Sequence, residues 1–394
     1  LRDHRAGLPA LSSPVPSAPT TALGAHPDAG VAAWLRLVAT PGLGPVGVRQ
    51  LLAVFGPPAH VLAQEAARLA EYLPPGIVRA LLAPPDRAMA ALIDRTLAWC
   101  EAPGHHLLTL ADAAYPARLF DLHDPPPLLY VNGQLEALAR PSLAVVGARK
   151  ATDQGRRDAE SFAAAFSRAG QAVVSGLALG VDAAAHAGGL SGPGGTVAVI
   201  GTGVDLVYPA RHRHLAHAVA AHGAIVSEFP LGVRAVGHHF PRRNRIIAAL
   251  SRGVLVIEAA ERSGSLITAR VAAELGREVF AVPGSIHSPL SRGGHRLIRD
   301  GARLVEAPQD VLEEFGDLAP PASGTPAGEG VGAAAARTRC SDTLGTALAY
   351  DPVTLDDICL RSGMRPDMVT TALLELELAG AVERLPGNLY RRCG

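Results

Sequence analysis

Phe240-Pro-Arg-Arg-Asn-Arg-Ile-Ile-Ala-Ala-Leu-Ser251 runs almost directly into Gly253-Val-Leu-Val-Ile-Glu258. The first segment has the apolar spacing of an amphipathic helix, and the second is a short apolar run of the kind found in strands buried on both faces. A helix feeding a buried strand is half of a βαβ unit, so this stretch points to an α/β fold. Its opening breaks a local rule. Helices usually begin with a capping Ser, Asp or Asn followed by acids, whereas this one begins with Arg242, Arg243 and Arg245, against the helix dipole. Broken local rules concentrate at functional sites. Three guanidiniums beside the ring of Phe240 suit an anion with flat faces.

The same alternation extends in both directions. Apolar β-type runs recur at 143–146, 172–174, 197–200, 224–226, 254–257, 279–282 and 303–305. Helical spacing separates them at 153–168, 180–190, 211–222, 242–251, 265–276, 293–302 and 308–315. The pattern predicts a Rossmann-like, doubly wound parallel sheet over 105–315, whose ligands sit at the carboxyl ends of the strands near a switch point. A further short strand is expected at Leu128–Val131, in a proline-punctuated stretch from 76 to about 140 that is otherwise less legible, with a helix near 86–101.

Residues 1–28 read as a disordered tail rich in Ser, Pro, Ala and Gly. Residues 29–104 read as a small helical domain and connector. There, Gly42-Leu-Gly44-Pro-Val-Gly47 matches G-x-G-x-x-G but has no preceding strand, so helix, glycine turn, helix is the better description. It resembles a helix-hairpin-helix (SAM-like) unit, whose turn offers backbone N–H groups to a phosphate; a plain tight turn is the alternative. Residues 316–340 read as a flexible linker. Residues 341–394 read as a winged helix, with a hairpin at 381–390.

The chain has 394 residues and a formal net charge of zero, so bulk charge does not select nucleic acid. The distribution does. Between Asp205 and Glu258 the only acid is Glu228, against Arg211, Arg213, Arg234, Arg242, Arg243, Arg245 and Arg252. Lys150 is the only lysine. Cys100, Cys340, Cys359 and Cys393 form no C-x-x-C pair and read as a reduced, cytosolic set without zinc or a disulfide framework. No apolar run is long enough for a membrane span. The winged-helix region carries more acids than arginines, whereas a phosphate-gripping module should be basic, so a protein-contact or dimer-modulating role fits it at least as well as DNA reading.

Arg149, after the turn Val145-Val-Gly-Ala, stands where a guanidinium can fork onto phosphate or stack on a base. Phe240 is expected to be exposed or half exposed, ready to stack an unpaired base. Asn244 reads a base edge or ties the loop. Arg262-Ser263-Gly264-Ser265 forms a helix entrance suited to an anion, with Ser263 or Ser265 as the cap. Ser175, Asp182 and His186 invite a catalytic triad, but G-x-S-x-G is absent, and Asp182 with His186 lie one turn apart. No P-loop or metal motif occurs, and no cofactor is implied.

In order along the chain stand Val146-Gly-Ala-Arg149, Ser175-Gly-Leu-Ala-Leu-Gly-Val-Asp182, Tyr208-Pro209, Ser227-Glu228, Phe240-Pro-Arg-Arg-Asn-Arg-Ile-Ile247, Ser263-Gly-Ser-Leu-Ile-Thr268, Pro283-Gly284 and Gly294-His-Arg-Leu-Ile298. The series resembles the DNA processing protein A family, also called Smf, strongly over 105–315. The resemblance implies a cytoplasmic, non-catalytic protein that binds single-stranded DNA, protects incoming strands in natural transformation and helps load the RecA recombinase. It maps the DNA groove onto Arg149, Phe240, Arg242, Arg243, Asn244, Arg245, Arg262, Ser263, Gly264 and Ser265, and a homodimer contact onto His295, Ile298 and Leu304. The groove reading expects Arg149, Arg243 and Arg245 to share one positive trough. Two rivals stand beside it. A nucleotide-processing enzyme is suggested by Gly192-Pro-Gly-Gly-Thr196, which resembles a phosphoribohydrolase phosphate loop but precedes its strand. A regulator reading duplex DNA through the winged helix is the other.

Overall fold

The computed structural model describes residues 27–316, 348, 353–362, 366–378, 380–385 and 389–392. The expected N-terminal tail lies outside the described residues except for its last two positions, and the expected linker except for its first.

Six helices open the described chain: α1 (Pro27–Ala39), α2 (Pro45–Phe55), α3 (Pro58–Leu62), α4 (Ala66–Leu69), α5 (Pro75–Leu82) and α6 (Arg87–Cys100). Proline starts α2, α3 and α5, where its fixed φ favours the helix and its missing N–H costs nothing. Gly42, at φ +81°, turns the chain between α1 and α2. Leu37, Leu51, Val61, Leu69 and Leu81 fill the core of this helical unit. Leu35 of α1 joins Leu128, Tyr130 and Ile225 of the sheet, so the unit and the sheet share buried surface.

Nine strands make the central sheet: β1 (His105–Thr109), β2 (Leu128–Gly133), β3 (Ser142–Val146), β4 (Ala172–Ser175), β5 (Thr196–Val199), β6 (Ala224–Ser227), β7 (Gly253–Val256), β8 (Glu278–Ala281) and β9 (Arg303–Leu304). Their spatial order is β1-β2-β6-β5-β4-β3-β7-β8-β9. β1–β2 and β2–β6 are antiparallel; the other pairs are parallel. Successive parallel strands run outward from β3 to β6, and the chain then returns to place β7 on the other side of β3. The switch point therefore lies between β3 and β7.

The intervening helices are α7 (Glu136–Ala139), α8 (Asp153–Arg168), α9 (Val181–Leu190), α10 (Arg213–His222), α11 (His239–Leu250), α12 (Ser265–Glu274), α13 (Arg292–Arg299) and α14 (Pro308–Glu314). Every residue of β3 is buried, and its side chains alternate between two cores. Ala144 and Val146 face Ile246, Ile247 and Ala269 of α11 and α12. Leu143 and Val145 face Phe162 and Phe166 of α8.

The C-terminal unit comprises β10 (Val353–Thr354), α15 (Leu355–Ser362), α16 (Pro366–Leu378), β11 (Val382–Leu385) and β12 (Leu389–Arg392), with strand order β10-β12-β11. Ile358, Val369, Leu373 and Tyr390 make its core. The expected Pro-Gly-Asn hairpin tip falls at 386–388, outside the described residues. Glu383 joins this unit to the sheet domain, its Oε2 lying 2.8 Å from Arg391 and 3.1 Å from Arg157 of α8.

Candidate nucleic-acid interface

The carboxyl end of β3 and the first turns of α9, α11 and α12 enclose a groove of about 420 Å³. Two helix N-termini meet at this switch point, and only one is closed by a carboxylate. α8 is closed by the chain itself: Glu258, after β7, accepts from Thr152 N at 2.9 Å and from Thr152 Oγ1 at 2.6 Å. Gly155 leaves room for that carboxylate, since a Cβ there would lie 2.5 Å from Glu258 Cδ. The N-cap residue of α12 is Gly264, not Ser263 or Ser265 as expected, and Ser263 Oγ accepts the Ser265 N–H at 3.3 Å. The two serines instead face each other, Oγ to Oγ, at 2.7 Å. The N-terminal end of α12 thus borders the groove as a fixed partial positive charge.

The α11 wall follows helical periodicity. Phe240, Arg243, Asn244 and Ile247 all line the groove, at the i, i+3, i+4, i+7 spacing of one helix face. Arg242 and Arg245 are also three apart, but on another face. Arg245 is 8% exposed and gives Nη2 to Glu228 Oε2 at 2.5 Å and Nη1 to Asp124 O at 2.8 Å. Arg242 reaches the same Glu228 oxygen at 3.1 Å and lies over the ring of Phe229 at 5.5 Å. The expectation of one trough shared by Arg149, Arg243 and Arg245 is therefore corrected: Arg149 and Arg243 line the groove, while Arg245 is turned away into an ion pair. Glu228, the lone acid of that sequence interval, is the cause. Burial pushes its carboxyl up, and the two guanidiniums oppose that by favouring the charged form.

Arg243 lines the groove yet is only 4% exposed. Its Nη1 donates to Val199 O at the end of β5. The guanidinium lies over Gly176, where a Cβ would sit 2.5 Å from Nη2 and closer still to Nη1 and Cζ. Burial pulls Arg243 down to about 10, with neighbouring Asp182 working in the opposite direction, so it stays charged at neutral pH. Asp182 also lines the groove; burial raises its carboxyl, and Arg243 is the largest influence holding it down.

Arg149 is exposed, with its guanidinium 5.0 Å from the centroid of the half-buried Phe240 ring. Tyr208, 50% exposed, stands 5.8 Å from Phe240, centroid to centroid, at an interplanar angle of 40°. The groove mouth thus carries two neighbouring aromatic rings; the sequence singled out only one, although Tyr208 stood among its motifs. Asn244 ties the wall together, Nδ2 donating to Gly264 O at 3.2 Å. Arg262 is exposed beside the α12 entrance.

Ser175, Asp182 and His186 do not form a triad. Ser175 is fully buried and its Oγ donates to Val145 O at 2.7 Å. His186 Nε2 accepts the Leu177 N–H at 3.2 Å, which leaves Nδ1 as the protonated nitrogen, 2.7 Å from Thr196 Oγ1. Burial lowers His186 to about 3, so it is neutral at physiological pH. Leu177 has φ +56°, rare for a residue with a Cβ, and its carbonyl faces His212 Nδ1 at 2.9 Å. The Gly192-Pro-Gly-Gly segment lies at the amino end of β5, away from the groove, and Arg140 Nη1 binds its carbonyls of Pro193 and Gly194 at 2.8 and 2.9 Å. Among the described residues no group of three His, Cys, Asp or Glu could hold a metal, and no helix is long and apolar enough to cross a membrane. His295 and Ile298, on α13, are partly buried, and Leu304 of edge strand β9 is 50% exposed.

Residues 106–316 match the family described as DNA recombination-mediator protein A, and residues 331–388 match the DprA winged helix domain. The chain is 42% identical over 316 residues to Protein Smf of Escherichia coli (strain K12), covering 76% of this chain and 80% of that protein. It is 46% identical over 207 residues to DNA processing protein DprA of Streptococcus pneumoniae, covering 52% of this chain and 73% of that one. The X-ray structure of DNA processing protein A from Streptococcus pneumoniae is similar at 36% identity with a TM-score of 0.64, over 72% of this chain and 97% of that chain.

Proposed function

The chain belongs to the DNA recombination-mediator protein A family, and from that premise we propose that it holds unpaired DNA in the groove at the β3/β7 switch point. One observation carries the reading. Arg149, Phe240, Arg243, Asn244 and the N-terminal end of α12 converge on one groove, with Arg262 exposed beside it. Arg149, Arg262 and the N–H group of Gly264 contact phosphates; Phe240 and Tyr208 offer ring faces that only unpaired bases can reach. Arg243 sets the potential of the floor from its buried position. Arg242 and Arg245 act at one remove, holding α11 in place through Glu228.

The activity is binding without chemistry. Ser175 and His186 are committed to structural hydrogen bonds, and the glycine loop of the phosphoribohydrolase rival sits at the wrong end of the sheet. In the cell, the protein handles incoming strands during natural transformation in the cytoplasm and passes them to the RecA recombinase; the family description as a recombination mediator supports this role. It works as a homodimer whose contact includes His295, Ile298 and the exposed Leu304 edge.

Fluorescence anisotropy with a labelled oligo-dT and the matching blunt duplex tests the reading. Single strands bind far more tightly. Arg149→Ala lowers the salt slope by about 0.7. Phe240→Ala weakens binding by about 1–3 kcal/mol and leaves the slope unchanged. Equal affinity for the two DNA forms overturns it.

A further inference from the structure

The groove has a way out on its α9 side. Ala178 and Asp182 belong to its wall, while Leu179, Gly180 and Ala183, from the same turn, line a shallow hollow of about 570 Å³ against α8. The step between the two is low. A Cβ on Gly180 would clash with the carbonyl oxygens of Ala148 and Arg149, so the first turn of α9 lies directly on that backbone. Arg156, Arg157 and Arg211 bring positive charge to the hollow, against Asp153 and Glu160. Asp153 is paired with Arg156. Lys150 and Arg211 are exposed and make no side-chain hydrogen bond or ion pair among the described residues. Arg149 at the groove, Lys150 beside it in the chain, and Arg211 and Arg157 in the hollow are thus successive cations along one surface.

At Arg157 this run meets an anion already in place. Glu383, on β11 of the C-terminal unit, sets Oε2 3.1 Å from Arg157 Nη2 and 2.8 Å from Arg391 Nη2. One carboxylate oxygen serves two guanidiniums, and each of them keeps a buried Nε with no hydrogen-bond partner. The Arg157 side chain is still 37% exposed, so a second anion can reach it. A phosphate competes well there, because it brings more acceptor oxygens to a guanidinium than this carboxylate does. Glu160, one turn further along α8, ends the cationic run. We propose that the DNA-binding surface continues from the groove over the first turn of α9 onto α8, and that Glu383 occupies its last phosphate position, at Arg157.

The inference rests on the groove reading, because the strand enters the hollow from the groove. It also gives the acidic C-terminal unit a task. Docked on α8, that unit withholds one cation from DNA; released from Arg157, it lengthens the track by one contact. The cations of the hollow hold phosphates and not bases, so the contact is read in the salt dependence of binding.

A double-mutant cycle in the full-length chain tests it. Glu383→Gln keeps the shape of the side chain and removes its charge; Glu383 and Arg157 are both partly exposed, so neither substitution empties a core. Anisotropy with labelled dT20 is followed across a salt series. Glu383→Gln binds dT20 roughly two- to fivefold more tightly at low salt, the worth of one exposed ion pair. Its salt slope steepens by about 0.7, one added phosphate contact. Arg157→Ala in the Glu383→Gln background takes back both gains, and in the parent chain it moves the slope by much less. An unchanged slope in Glu383→Gln overturns the extension, because the Glu383–Arg157 pair then only anchors the C-terminal unit. So does a gain that survives Arg157→Ala, because the lost acid then acts at a distance. In both cases dT20 still binds and the groove reading stands. Failure of the parent chain to bind dT20 overturns the groove reading and the extension with it.

Discussion

Gly176→Ala tests whether the groove floor is built around a buried cation. Gly176 is not in the left-handed region, so alanine suits its backbone and any cost comes from space alone. The added Cβ would meet Arg243 Nη2 at 2.5 Å and lie still nearer Nη1 and Cζ, well inside van der Waals contact. The guanidinium must move. Overpacking costs about 1–3 kcal/mol. Losing the charged hydrogen bond to Val199 O adds about 1.5–3 kcal/mol. Buried Asp182 also loses its nearest cation. The expected loss is about 3–5 kcal/mol, a large share of the ~5–15 kcal/mol that domains possess. Urea unfolding reads it as a midpoint lowered by about 1–2 M at an unchanged m-value. The decisive arm is a double-mutant cycle. In an Arg243→Ala background the methyl meets no guanidinium, and the same glycine substitution costs about 1 kcal/mol at most, giving a coupling of about 2–4 kcal/mol. Equal costs in the two backgrounds would falsify the packing account.

His186 makes stability depend on pH. The folded protein holds it at about 3, whereas the unfolded chain has the ordinary value of 6.5, so below pH 6.5 the unfolded state binds a proton that the folded one refuses. The contribution is complete above pH 6.5 and declines as pH falls towards 3, by on the order of 2 kcal/mol at pH 5. Asp182 and Glu228, with raised carboxyls, act in the opposite sense, so the measurement is the difference between wild type and His186→Gln, which flattens this decline in thermal melts across pH 5–7. Arg245→Ala leaves Glu228 with Arg242 alone and costs about 3–5 kcal/mol in chemical denaturation. The salt slope of DNA binding stays unchanged in that variant at a temperature where it remains folded; a lower slope would place Arg245 against phosphate. Leu304→Asp puts a charge on the β9 edge; with the proposed homodimer, light scattering reads a dimer for the parent chain and a monomer for the variant.

The sheet domain was legible because its signals are redundant. α8 was expected over 153–168 and lies at Asp153–Arg168, where Thr152 caps the helix, Gly155 N–H reaching its Oγ1 at 2.9 Å, while Phe162 and Phe166 repeat at helical spacing. β1 was missed because His105 and His106 begin it and only Leu108 and Thr109 are buried, so no apolar run marks it. At the site, residue types were legible and directions were not. The arginines at 242, 243 and 245 read as one cluster until placed on a helix, where 243 joins 240, 244 and 247 and the others turn towards Glu228. Applying the helical period to the charges, and not only to the apolar residues, separates the two sets. That Glu258 seals the end of α8 has no local signature, because Thr152 and Glu258 are far apart in the chain.

The loop from Ser175 to Gly180 is pinned from several directions. Leu177, left-handed despite its side chain, is held by His186 at its amide and His212 at its carbonyl, while Arg243 lies over Gly176. Conformations of this kind persist only where their surroundings over-determine them. The receptor therefore arrives already set, and nearly all the freedom surrendered on association belongs to the guest. Calorimetry of such an encounter has a plain signature: a heat-capacity change set by the apolar area covered, without the larger excess that accompanies a segment folding as it binds.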